Sequence, residues 1–209
     1  MRRLIVLAVC ILAFTGAATS QNVGPDFKNF SYPWSGPPSW SERLEWLSVS
    51  PRKTVRLTKG RWTDPRQSDE GANGNAPFAG LTLESVTWGD VTGEGRDDAI
   101  VVIRYDTGGT QFSYFVYLYS LSAGRPHLLG HFHAGDRAYS GLYRVYAQNK
   151  ELVVELFDPD KRTGDCCSSG FIRTRYRWER VKFEVVGASE SGTPKAASRI
   201  PVSPFGLHR

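Results

Sequence analysis

The sequence predicts an all-β fold: an antiparallel meander, curved into an open sheet, a barrel or part of a propeller-like arrangement, behind an irregular Pro/Trp-rich N-terminal segment. Three observations carry this. From Leu81 to Gly187, runs rich in Val, Ile, Phe, Tyr and Thr recur at short intervals, the composition of strands. The links between them are short and hold turn residues, among them Gly93-Glu94-Gly95, Thr107-Gly108-Gly109, Ala123-Gly124-Arg125-Pro126 and Gln148-Asn149-Lys150, and short links join antiparallel neighbours. Side-chain character alternates with period two: Phe171, Arg173, Arg175 and Arg177 fall on one face of a strand, and Ile172, Thr174, Tyr176 and Trp178 on the other.

The chain has 209 residues, and its first twenty read as a secretory signal peptide. Arg2 and Arg3 supply a positive start, Leu4 to Phe14 an apolar run, and the small residues Gly16 to Ser20 a cleavage site after Ala18 or Ser20. The apolar run is shorter than the roughly 20 residues of a spanning helix. A periplasmic or secreted product is therefore expected, with no transmembrane segment after cleavage. Removing residues 1–20 lowers the net charge from +5 to +3. Basic residues are interspersed with acidic ones, so electrostatics give no support to nucleic-acid binding.

Residues 21 to 80 form the irregular segment, expected to pack on the domain that follows. A short helix is favoured from Ser39 to Leu47, with a serine cap, acids in the first turn and Trp40, Leu44 and Leu47 on one side. Thr54 to Thr58 alternates as a strand, and Asp69 to Pro77 reads as a loop. Trp34, Trp40 and Trp46 recur every six residues, which fits neither a helix face nor a strand face. They either tack an extended segment onto the domain or form an exposed ligand-stacking row.

In the domain, residues 81 to 187, strands are expected at Leu81 to Trp88, Asp98 to Tyr105, Gln111 to Leu121, His127 to His133, Gly141 to Ala147, Glu151 to Phe157, Gly170 to Trp178 and Val181 to Val186. In the third, Phe112, Tyr114, Val116 and Leu118 share one face and Phe115, Tyr117 and Tyr119 the other; both are apolar or aromatic, so this strand belongs at the centre. Residues 188 to 209 are polar and proline-bearing, a flexible tail.

Between the first two strands lies the clearest motif. Asp90, Thr92 and Glu94 stand at positions one, three and five of a loop, Gly95 turns the backbone at six, the Arg96 carbonyl is at seven and Asp98 at nine. Alternating oxygens around a glycine turn suit Ca²⁺, which takes about 6–8 hard oxygen ligands. The segment resembles the D-x-D/N-x-D/N-G-x-x-D loop of FG-GAP and VCBS repeats in integrin-type propellers, with Thr92 and Glu94 where that pattern has Asp or Asn. The stretch from Leu81 to Gly187 also resembles secreted bacterial proteins of unassigned function that carry a similar loop before Val/Ile-rich and Tyr-rich strands. That likeness implies export and a β fold, and no activity. A metal-free acidic turn, with Gly93 and Gly95 at positive φ, is the other reading of the loop.

His131 and His133 share one strand face, with Asp136 beyond, a spacing that suits a transition metal; solvent-facing strand histidines are the plainer expectation. Cys166 and Cys167 sit in a turn, and in an oxidising compartment two adjacent thiols with no other partner close on each other as a loop clip, stay free, or pair between molecules. No G-x-S-x-G elbow or phosphate loop is present. Two function classes remain. One is an exported, non-enzymatic binding or structural module, with calcium its only candidate cofactor, whose Arg173, Arg175 and Arg177 meet a protein or glycan partner. The alternative is an extracytoplasmic hydrolase with a metal or carboxylate site near His131, His133, Asp136 and the turn acids.

Overall fold

The expected strands all form, and they divide into two antiparallel sheets. The computed structural model describes residues 24–34, 44–47, 53–65, 79–109, 112–135, 140–163 and 167–193. The signal-peptide reading, Trp40, the loop 69–77, Asp136, Cys166 and the tail beyond residue 193 lie outside the described residues.

Four three-residue strands open the fold: β1 (Ser31–Pro33), β2 (Glu45–Leu47), β3 (Thr54–Arg56) and β4 (Arg61–Thr63). Four long ones follow as consecutive hairpins: β5 (Ala79–Gly89), β6 (Asp98–Thr107), β7 (Phe112–Ser122) and β8 (Arg125–Ala134). Together β2, β8, β7, β6, β5 and β4, in that order, make a six-stranded sheet. Its two edges, β2 and β4, are its shortest strands, which limits the row of unpaired backbone groups open to another chain.

The second sheet starts with β9 (Leu142–Gln148) and β10 (Glu151–Phe157), turned tightly through Asn149 and Lys150, both at positive φ. A small excursion, β11 (Arg162–Thr163) against β12 (Cys167–Ser168), precedes β13 (Phe171–Trp178), β14 (Phe183–Val185) and β15 (Glu190–Gly192). The order is β14, β13, β10, β9, with β15 also paired to β13.

The central sheet is apolar on both faces. One face carries Val101, Ile103, Tyr105, Phe115, Tyr117 and Tyr119, covered by Phe27, Tyr32, Trp34, Val55 and Leu57 of the N-terminal segment. The other carries Ile100, Val102, Val116, Leu118 and Phe132, packed on Leu142, Leu152, Val154, Tyr176 and Phe183 of the five-stranded sheet. The result is three layers: N-terminal segment, six-stranded sheet, five-stranded sheet. The dual-faced pattern in β7 and its place between β8 and β6 agree with the sequence expectation.

The N-terminal layer is tied by backbone and side-chain bonds as well as by burial. β1 pairs with β3, Trp34 N donates to Lys53 O at 2.8 Å, and Tyr117 Oη reaches across the layer to Pro33 O at 2.8 Å. Trp34, 2% exposed, packs its indole 4.9 Å from the Phe115 ring. Trp46 lies on the opposite face of the sheet, stacked 5.2 Å from Phe183. Two tryptophans on opposite faces do not make one ligand-stacking row; they fasten the segment to two cores.

The helix favoured by Ser39 to Leu47 is not what Glu45–Leu47 adopts. These residues form β2, with Glu45, Trp46 and Leu47 opposite His133, Phe132 and His131 of β8. The open edge of β8 supplies backbone partners, and Trp46 gains Phe132, Tyr176 and Phe183 as ring neighbours. Those tertiary contacts outweigh a capping signal worth about 1 kcal/mol.

Candidate functional site

The loop between β5 and β6 is a self-satisfied turn. Asp90 Oδ1 accepts from Gly93 N at 2.6 Å and its Oδ2 from Gly95 N at 2.9 Å, while Gly93 and Gly95 both sit at φ 79°. Asp98, buried at the start of β6, accepts on one oxygen from Val91 N, Thr92 N and Thr92 Oγ1, each at 3.0 Å. Burial, with some help from the Asp90 charge, raises the Asp98 carboxyl above its usual range; the bonds from Thr92 and Val91 oppose that rise. Glu94 is drawn outward to Arg96 at 2.7 Å. Among the described residues no three His, Cys, Asp or Glu side chains converge as a metal group. As folded, Asp90, Thr92, Glu94, Arg96 and Asp98 are occupied in holding the turn.

His131 and His133 do share a face, as their spacing requires, but it is an inner face. They are 4% and 0% exposed, not the solvent-facing pair expected. His131 lies flat on Tyr117, ring centroids 5.2 Å apart, and burial lowers its basicity; His133 packs 5.3 Å from Phe115. The N-terminal layer that covers this face is invisible to any reading of β8 alone. Cys167 lies in β12 opposite Thr163.

The outer face of the five-stranded sheet has the geometry of a site. Register places three rows across β9, β10 and β13: Arg144, Glu155, Arg173; then Tyr146, Val153, Arg175; then Gln148, Glu151 and, beyond it, Arg177. Glu155 is fully buried and is clamped by two guanidinium groups. Arg144 donates from Nε at 2.7 Å and Nη2 at 3.1 Å, Arg173 from Nε at 2.8 Å, and Tyr146 Oη adds a bond at 3.2 Å. Burial by itself would raise the Glu155 carboxyl; the bonds from Arg144 and Arg173 outweigh it and hold the group below the usual glutamate range. Arg173 also approaches Glu190 at 3.5 Å, and Arg144 lies over the rings of Tyr143 and Tyr146, at 5.3 and 5.5 Å.

The three arginines singled out by alternation are thus unequal. Arg173 is committed to Glu155. Arg177 holds Glu151 Oε1 at 2.8 Å with its side chain 56% exposed. Arg175, between them, has only a 3.9 Å contact with Glu151 Oε2. Sequence reasoning missed Glu151, Glu155, Arg144 and Tyr146. The signal was available in β10: Glu151, Val153 and Glu155 alternate with Leu152 and Val154, so both acids share a face with whatever alternates beside them.

No protein-family model matches the chain, and no curated protein or solved structure matches it. Among the described residues no helix is long and apolar enough to cross a membrane.

Proposed function

We propose that this chain is an exported, non-enzymatic binding or structural β module that meets its partner with the outer face of the five-stranded sheet. The observation that supports this best is the composition of that face. Guanidinium groups are held in fixed positions over buried carboxylates, which is how a surface becomes rigid before it binds anything. The other faces of the two sheets carry the two hydrophobic cores. The histidines of the hydrolase alternative lie inside an aromatic layer, which favours the binding reading over that one.

A photo-crosslinking amino acid placed at Arg177, and at exposed Arg125 at the start of β8 as a control, tests the reading in exporting cells. Adducts from position 177 and none from 125 are expected. Equal labelling from both positions, or adducts from 125 alone, would sink it.

Calcium as a stabiliser of residues 90–98 is a separate part of the proposal. A ligand of the folded state at about 100 times its Kd adds roughly 2.7 kcal/mol of stability. If calcium binds, it raises the melting midpoint and Asp90→Ala abolishes the shift. If the midpoint is the same in calcium and in chelator, the loop works through its hydrogen bonds alone, and Asp90→Ala lowers the midpoint equally in both.

A further inference from the structure

Building on that reading, we infer that the Arg175–Tyr146 row of the outer face is a recognition site for an acidic glycan, with Arg175 taking the acid group and Tyr146 the sugar ring. The charge balance points to Arg175. Four guanidinium groups, from Arg144, Arg173, Arg175 and Arg177, stand over three carboxylates, from Glu151, Glu155 and Glu190. Glu155 is shared by Arg144 and Arg173, and Glu151 gives its short contact to Arg177. Glu184, opposite Arg177 on β14, is held by Lys182 at 2.7 Å. The unmatched positive charge therefore falls on Arg175, whose side chain is 43% exposed and lies in the middle of the face.

The surroundings of Arg175 define what fits. Val153, between them in β10, is fully buried beneath the side chains around it, so the row presents Tyr146 and Arg175 themselves with no open floor between them. Tyr146 lies two strands away in the same row, about 10 Å at the usual strand spacing, the reach of about two sugar units. Its hydroxyl is fixed by Glu155, which fixes the ring. Gly187, at φ 70°, passes beside Arg175 with no side chain; a Cβ there would stand 3.6 Å from Nη2. An acid group alone would be a point charge competing with Glu151. A sugar acid also brings an apolar ring face for Tyr146, and the row offers both elements at a fixed separation. Guanidinium pairs carboxylate or sulfate through two parallel bonds.

The test is a calorimetric titration of the purified protein with oligogalacturonate, with dextran as the neutral polymer and poly-glutamate as the acidic polypeptide, in low salt and in 0.5 M salt. Oligogalacturonate is expected to bind in low salt and weaken in high salt. Arg175→Gln is expected to weaken it at least about tenfold, and Tyr146→Leu about threefold or more, with melting midpoints measured in parallel to show that both variants fold. Dextran binding as tightly as oligogalacturonate overturns recognition of the acid group. An unchanged affinity in Tyr146→Leu overturns the sugar platform. Poly-glutamate binding more tightly through Arg175 assigns the face to an acidic protein, which removes the glycan and leaves the binding face standing. If none of the three polymers depends on Arg175, the site is wrong and the binding face loses its centre.

Discussion

The two sheets solve the same problem in opposite ways. The six-stranded sheet carries a core on each face, and several of its buried polar side-chain atoms are left over: among the described residues, Thr82 Oγ1, Ser113 Oγ, Tyr119 Oη and His131 Nδ1 are buried without a hydrogen-bond partner, while Asp98 and Tyr117 Oη are bonded. The five-stranded sheet keeps one face wet, and its buried acids are bonded: Glu155 to Arg144 and Arg173, and Glu151 to Arg177. A layer enclosed by rings offers few acceptors, whereas long side chains at a water boundary fold over and supply them. The inner sheet is held by volume and the outer by charge.

The largest expected effect removes volume from the inner sheet. Phe132 has no exposure and touches Trp46, so Phe132→Ala is expected to cost about 4 kcal/mol in urea unfolding. A loss under about 1 kcal/mol would mean that this core collapses around the gap. Next comes the charge clamp. Glu155→Gln leaves two guanidinium groups without their carboxylate and is expected to cost about 3 kcal/mol near neutral pH, at the low end for a broken buried pair because both arginines are about one-third exposed. Because the Glu155 carboxyl is held below its ordinary value of 4.5, its contribution is complete above that pH and is lost as pH falls through the folded value. The gap between wild type and Glu155→Gln should therefore close on acidification; a constant gap would show that the carboxylate charge is not what holds the three strands.

A smaller effect tests where the sheets meet. A Cβ at Gly89, the end of β5, would lie 2.5 Å from Ala147 Cβ in β9. Gly89→Ala is expected to cost about 2 kcal/mol by overpacking, with Ala147→Gly recovering most of it. Failure of that rescue would place the strain elsewhere. The smallest effect has the opposite sign. Tyr119→Phe removes a buried hydroxyl that has no partner, and a gain of about 1 kcal/mol is expected, against a loss for Tyr146→Phe, whose hydroxyl bonds Glu155. Equal losses in the two variants would erase the distinction between the sheets.

Strand positions were legible because period-two patterning and turn residues are local. Glu151 to Phe157 is recovered to the residue, and the other domain strands differ at their ends by one or two residues. The division into two sheets after β8 was not legible, since a hairpin link and a sheet-to-sheet link can share the same composition. The same limit hid the surroundings of His131 and His133. Their common face follows from spacing, but whether it meets water depends on residues 27–34 and 53–57, far earlier in the chain. For the candidate site, the arginine face was legible and its compensation was not. Arg173 reads the same as Arg175 until β10 is placed beside them.

The bond from Tyr117 to Pro33 spans 84 positions in the chain. Synthesis runs from the N-terminus, so the covering layer emerges well before the sheet that it covers. Phe27, Tyr32, Trp34, Val55 and Leu57 must wait, apolar and unpartnered, until β6 and β7 have paired. Docking of this layer therefore closes a long loop and belongs late on the folding path, the interval in which a carrier for the nascent chain would be needed most.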